Sequence, residues 1–314
     1  MATPCRFHKV LSDRPHLTRE LAFFLGLSAT QHLCALSRAM HRALVHAKDA
    51  ILAAHPERLC VVGGGGFPES NDLFSAEYFD PQANKWTDLP AMNVRRVGPL
   101  VCSAGGMVYA GGGEVYGPWG RKSWERLNPL LGRWEMLPKM KWFRTESVPC
   151  ALGGYIYVCG NGFEEFGINV DRFDLSAQVW ETLPDMPCSR ADATAIPWNG
   201  RVLVVGGVGP SSHVAMCETF DPVTNRWDDA MQLCTPRKGS ACALHNKKLY
   251  VCGGSLEHSD LDEENIPGAV ALVERYNFDD DMWETLPPML EARFAAAAKI
   301  VQGYLYVVGG ANST

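Results

Sequence analysis

The sequence of 314 residues contains no Cys-x-x-Cys pair, no excess of basic charge and no apolar run long enough to cross a bilayer. Each absence removes a class. The eleven cysteines follow no framework spacing, and Cys60, Cys102, Cys150, Cys159, Cys242 and Cys252 lie inside apolar runs. They read as buried thiols of a reducing compartment, not as a disulfide scaffold or a zinc site. Net charge is -6 with 29 basic residues spread along the chain, so nothing forms a stripe for nucleic acid or an anionic membrane. The first residues lack the apolar core of a signal peptide, and the run Leu21 to Leu25 is far too short to span. A cytoplasmic protein is expected, with the nucleus as the other compartment.

Chemistry-bearing constellations are also scarce. His213, His245 and His258 are nowhere paired at metal-ligand spacing, and no Ser-His-Asp set or carboxylate pair stands out. Gly63-Gly64-Gly65-Gly66 ends a strand-like run and does not open a helix, so it is not a phosphate loop. No catalytic residue, metal or cofactor is expected.

What the chain does have is a repeat. Val202 to Val205 is apolar at consecutive positions and mostly β-branched, which suits a strand buried on both faces, and Gly206-Gly207 ends it. Phe220-Asp221, Trp227 and Arg237 follow, and the apolar run Gly239 to Leu244 begins the next pass. Glycine pairs or their equivalents recur at Gly63-Gly64, Gly111-Gly112, Gly160 with Gly162, Gly253-Gly254 and Gly309-Gly310. The indoles of Trp86, Trp134, Trp180, Trp227 and Trp283 are separated by 48, 46, 47 and 56 residues. The last step is long because Glu257 to Glu264 is an acidic insertion. A period near fifty with four short strands in each unit is the mark of a propeller blade.

From about residue 57 onward the chain resembles kelch-repeat proteins, through the apolar strand with Gly-Gly, Phe-Asp or Tyr-Asp, Trp, Leu-Pro-x-Met and Arg. The resemblance implies a mainly β fold, a kelch-type β-propeller over residues 57–314 with five full repeats and a partial sixth. Blade one lacks an Arg-led opening strand. The chain is therefore expected to be a fragment of a six-bladed ring, the alternative being that Phe294 to Ile300 serves as blade one's missing strand. The aspartate after each aromatic should turn the chain through side-chain to backbone hydrogen bonds.

Residues 1–55 stand outside the repeat. Leu17, Leu21, Phe24 and Leu25 fall on one helical stripe, and Leu33, Leu36, Met40 and Leu44 on another, so a small α-helical segment is expected. Through Leu17-Thr18-Arg19-Glu20-Leu21 and Leu36 to Leu44 it resembles a shortened F-box, with Leu-Thr in place of the usual Leu-Pro. That resemblance implies a Skp-type adaptor and a cullin as partners.

Arg96, Arg144, Arg190, Arg237 and Arg293 each stand in the connection leading into a following blade. In similar kelch proteins some arginines at this position face the central mouth and bind acidic peptide segments, a chemistry that guanidinium forks suit. The bland reading is structural pairing with acids such as Glu135, Glu181 and Asp185. Tyr116, Trp119 and Phe163, in the connections after the glycine pairs, are aromatic candidates for the same partner face. The function expected is a protein-interaction module, a scaffold or the substrate receptor of a cullin-type ubiquitin ligase. The alternative is a propeller enzyme, a mutarotase similar to sialic-acid epimerases.

Overall fold

A computed structural model describes residues 21–25, 58–63, 74–80, 83–113, 122–128, 131–161, 167–210, 212–256, 268–301 and 303–310. Its strands form antiparallel meanders. Blade one comprises β1 (Leu21–Leu25), β2 (Arg58–Val62), β3 (Ala76–Asp80) and β4 (Lys85–Leu89), and blade two β5 (Leu100–Ala104), β6 (Met107–Gly111), β7 (Trp124–Asn128) and β8 (Arg133–Leu137). Blade three has β9 (Val148–Leu152), β10 (Tyr155–Asn161), β11 (Gly167–Asp174) and β12 (Val179–Leu183). Blade four has β13 (Thr194–Trp198), β14 (Arg201–Val205), β15 (Met216–Asp221) and β16 (Arg226–Gln232). Blade five has β17 (Ala241–His245), β18 (Lys248–Cys252), β19 (Val273–Asn277) and β20 (Met282–Leu286). Blade six is a two-stranded sheet of β21 (Ala297–Val301) and β22 (Tyr304–Val308).

The first strands line the axis, β5 beside β9, β9 beside β13, β13 beside β17, and β17 beside β21; β1 lies next to both β5 and β21. The core is correspondingly divided into slabs between neighbouring sheets. Cys60 and Val62 of blade one pack with Val101, Val108 and Leu127 of blade two. On its other side, blade one presents Leu59, Val61 and Phe79 to Val301 and Val308 of blade six, which closes the ring. The second strands are the most apolar because both of their faces are covered: Val202, Leu203, Val204 and Val205 are all buried.

The turns follow the sequence chemistry. Asp174 Oδ1 accepts from the backbone N–H groups of Ser176 and Ala177, and Asp221 Oδ1 from those of Val223 and Thr224. Asn128 and Asn277 do the same through Oδ1 where the aspartate is replaced. In blade four the residue that ends this turn, Asn225, sits at φ 57, a left-handed position that asparagine tolerates.

Two expectations are corrected. The apolar spacing predicts a helix through Leu21 to Leu25, but this segment is a strand, paired antiparallel with β2 from Leu21↔Val62 to Leu25↔Arg58. Five consecutive apolar residues satisfy a buried strand as readily as a helical stripe. The rest of the expected helical and F-box-like segment lies outside the described residues. The position of blade one's inner strand is thus filled by β1, and β21 pairs with β22 in its own sheet. Among the described residues no helix is long and apolar enough to cross a membrane.

Candidate binding face and the arginine hub

In an antiparallel meander the second and fourth strands end on the same side. The connections between second and third strands therefore share one face of the ring with those that lead from one blade into the next. All the residues singled out as partner-binding fall in these two sets of connections.

The arginines do not present themselves on that face. Arg96, Arg144, Arg190 and Arg237 are between 0 and 2% exposed. Each donates through Nη1 to the carbonyl of the glycine sixteen residues ahead: Gly112, Gly160, Gly206 and Gly253. Each also meets a buried acid on its blade's third strand. Arg96 Nε lies 3.3 Å from Glu125, Arg144 Nη2 2.5 Å from Asp171, and Arg190 Nη2 2.8 Å from Glu218, while Arg237 Nη2 pairs with Glu274. The acids are further engaged. Glu125 accepts the backbone N–H groups of Asn93 and Val94, and Asp171 and Glu274 accept the hydroxyls of Thr182 and Thr235.

The same arginines tie adjacent blades through their main chain. Gly113, Gly207 and Gly254 donate their N–H to the carbonyls of Arg144, Arg237 and Arg293, each belonging to a neighbouring connection. The approach is close enough to demand glycine. At Gly206, φ is +64 and an added Cβ would lie 2.7 Å from the Arg237 carbonyl oxygen.

The role that resemblance implied for Arg96, Arg144, Arg190 and Arg237 is therefore corrected. These guanidiniums are enclosed and paired, so they hold blades together and are out of reach of a peptide or a sugar acid. The acids expected for structural pairing are corrected as well. Glu135 and Glu181 pair with the third-strand residues Arg126 and Arg172, and Asp185 accepts from the Asn169 side-chain amide. Reading the sixteen-residue interval from arginine to glycine together with the acid three residues before the turn aspartate or asparagine of each third strand would have found the hub. Arg293 makes the glycine contact, to Gly309 at 2.7 Å, but pairs with Glu291 of its own connection.

Burial acts on these charges unequally. It lowers the pKa of Arg96, with Glu125 opposing, and it lowers that of Arg293, with Glu291 opposing. Burial also raises the Glu218 carboxyl above the usual glutamate range, an effect that Arg190 offsets only in part.

Among the described residues, an exposed aromatic pair of this face lies in the connection entering blade three. Lys141, Trp142 and Phe143 all face solvent, with Trp142 37% and Phe143 49% exposed. Lys141 Nζ sits 4.7 Å from the Trp142 ring centroid and Lys122 Nζ 4.7 Å from that of Phe143. The corresponding positions before Arg190 and Arg237 hold Cys188-Ser189 and Thr235-Pro236, with no aromatic side chain. The sequence signal was available: a Lys-Trp-Phe run beside a repeat arginine that the other blades lack. Tyr116, Trp119 and Phe163 lie outside the described residues. Among the described residues no group of three or more His, Cys, Asp or Glu side chains could hold a metal ion.

Comparison with known proteins agrees with this architecture. The Kelch motif family matches residues 52–93, 189–233 and 236–290. The Kelch repeat and BTB domain-containing protein 12 of Danio rerio is 28% identical over 155 residues, 45% of this chain and 25% of that protein. An F-box/kelch-repeat protein of Arabidopsis thaliana is 35% identical over 95 residues, 30% of this chain and 25% of that protein. The chain thus spans about a quarter of the length of these curated relatives. A solved structure titled "Structure of YjhT" superposes with a TM-score of 0.67 at 16% identity, covering 82% of this chain and 88% of that one, a likeness of fold alone. The chain carries Kelch motifs on a mainly β propeller with five four-stranded blades.

Proposed function

We propose that this propeller is a protein-interaction module whose working face is the one bearing the blade-to-blade connections, and that it takes an acidic peptide segment with an apolar anchor. The observation that carries the reading is the solvent-facing Trp142-Phe143 pair flanked by the Lys122 and Lys141 ammonium groups. Exposed aromatic rings on a rigid scaffold concentrate binding energy, and the two cations supply complementarity to carboxylates. Tyr116, Trp119 and Phe163 belong to connections of the same face and are proposed as further contacts. The relatives named for kelch repeats support an interaction role.

A library of acidic peptides tests this against the intact chain and a Trp142→Ala, Phe143→Ala variant. Peptides that bind should lose about tenfold or more in the variant and weaken with added salt. Equal binding to both proteins would end the proposal.

A second reading makes the chain the substrate receptor of a cullin-type ubiquitin ligase, held by a Skp-type adaptor through residues 1–55. It draws on the relative whose name joins F-box to kelch repeat. Co-precipitation of purified adaptor with the full chain no better than with a control propeller would eliminate it. All nine described cysteines are free thiols, which supports a reducing compartment, cytoplasm or nucleus.

A further inference from the structure

The face that bears the blade-to-blade connections carries two features of opposite charge, and they stand on different blades. One is the aromatic patch in the connection entering blade three. Residues 138–145 hold Lys139, Lys141 and Arg144 and no acid; Lys139 and Lys141 are exposed, and Lys122 adds its ammonium group beside Phe143.

The other is the insertion in the connection between β18 and β19. Residues 257–264 read Glu-His-Ser-Asp-Leu-Asp-Glu-Glu, five acids with no lysine or arginine, and Leu261 stands in their midst. The counterpart in blade four, Val208 to Ala215, has no acid at all. Leu256, just ahead of the insertion, is 43% exposed. An acidic segment with an apolar anchor is what the patch is suited to take, and the chain contains one.

The insertion is tied down at its base. Ser255 exchanges both backbone hydrogen bonds with Lys238, in the connection entering blade five, and Leu256 donates its N–H to the Gly268 carbonyl at 3.1 Å. A segment as short as 257–267 that leaves and returns to one point extends at most ~18 Å from it. The connection entering blade four lies between that point and Trp142, so contact within one chain would have to span it and hold the segment extended, at a cost in conformational entropy. A second copy needs no such stretching. Two copies set face to face about a two-fold axis offer each patch the other's insertion, and the two contacts reinforce each other.

We propose that the Trp142-Phe143 patch docks the acidic insertion of a second copy of this chain, so that the protein pairs with itself through two equivalent contacts. The proposal rests on the reading of the patch as a site for acidic peptides. To that reading it adds the partner, and it makes self-pairing and capture of an outside peptide compete for one surface.

Sedimentation equilibrium of the full chain tests it. The samples are wild type, a Glu257→Gln, Asp260→Asn, Asp262→Asn, Glu263→Gln, Glu264→Gln variant, the Trp142→Ala, Phe143→Ala variant, and an equimolar mixture of the two variants. Wild type should form a dimer that weakens with added salt, and each variant alone should dimerise about tenfold more weakly or worse. The mixture should regain part of the loss, because the intact patch of one variant can take the intact insertion of the other. A synthetic peptide of residues 256–268 should dissociate the wild-type dimer while its amide-substituted form does not, which tests the contact without altering the protein. A wild type that stays monomeric, a dimer indifferent to the amide substitutions, or a mixture that associates no better than its components would each overturn the proposal. A monomeric wild type whose Trp142-Phe143 patch still binds outside acidic peptides would overturn self-pairing alone and leave the reading of the patch standing.

Discussion

Gly111 and Trp124 face each other across β6 and β7, and a Cβ built on Gly111 would lie 2.1 Å from the indole Cδ2. The other blades place medium side chains at this pair: Val62 with Ala76, Cys159 with Val170, Cys252 with Val273. Blade two has exchanged size between the two strands. Trp124 is fully buried, has its ring centroid 5.5 Å from that of Trp180 at a tilt of 55° and donates Nε1 to Met140 Sδ at 2.8 Å. Gly111→Val alone should cost about 3 kcal/mol or more by overpacking, and Trp124→Ala about 3–5 kcal/mol by leaving a cavity. Together they restore the arrangement of blade one, so the double variant should recover on the order of 1–3 kcal/mol over the sum of the singles. Urea midpoints of the four proteins measure this, and strict additivity would contradict the exchange.

The same pair shows where the sequence was legible and where it was not. Strand order, the aspartate turns and the blade count follow from local signals, because turn chemistry and apolar runs act over a few residues. Gly111-Gly112, however, looked like blade two's hub pair. The sixteen-residue interval from Arg96 ends at Gly112, and Gly113 makes the N–H link to Arg144, so the pair is one residue later and Gly111 belongs to the core. Telling the two apart requires knowing that Trp124 lies opposite, a contact across a sheet. The arginines failed for the same reason: their partners are 27 to 37 residues away, and a cation in a connecting loop carries no local sign of being enclosed.

The buried pairs should respond unequally to loss of charge. Glu274→Gln leaves Arg237 enclosed without its counter-ion and should lower stability by about 3–5 kcal/mol at neutral pH. Glu218→Gln should cost less. Burial already holds the Glu218 carboxyl above its ordinary range, so its charged form is poorly compensated. As pH rises from the unfolded value near ~4.3, the unfolded chain releases this proton first, and stability falls until the folded value is passed. Wild type therefore gains stability on acidification that Glu218→Gln does not, so its margin over the variant in urea denaturation should widen as pH falls toward ~4.3. A margin that narrows on acidification would refute the assignment.

Trp134 and Trp180 allow packing and hydrogen bonding to be separated. Both indoles reach back to the preceding blade, Trp134 Nε1 to the Pro90 carbonyl at 2.7 Å and Trp180 Nε1 to that of Pro138 at 2.9 Å. Trp134 is 7% exposed, while Trp180 is only half-buried. Trp134→Ala should cost about 3–5 kcal/mol and Trp180→Ala less than that. Trp134→Phe, which keeps a ring but removes the donor, should cost about 1–2 kcal/mol. Thermal melts rank the three; a Trp180→Ala loss as large as that of Trp134→Ala would mean the exposed edge of the ring carries no discount.

The thiols set the alkaline limit of the fold. Burial pushes Cys60, Cys159 and Cys242 up to about 12 and Cys217 up to about 11, and it raises Cys102, Cys150 and Cys252 further. In the unfolded chain the same groups ionise near ~8.5. Above that value the unfolded state sheds protons that the folded state keeps, so stability falls as pH rises and the penalty continues toward the folded values. Urea midpoints should drop steeply between pH ~8.5 and ~10.5, and Cys242→Ala should flatten the slope by about one proton's worth, ~1.4 kcal/mol per pH unit at its steepest. Exposure gives an independent check at neutral pH. Cys188 and Cys234 are exposed and the seven others are buried, so brief alkylation followed by peptide mass mapping should label those two first among the nine described cysteines. Early labelling of Cys60 or Cys252 in the native protein would mean that the slabs between blades open far more readily than their packing allows.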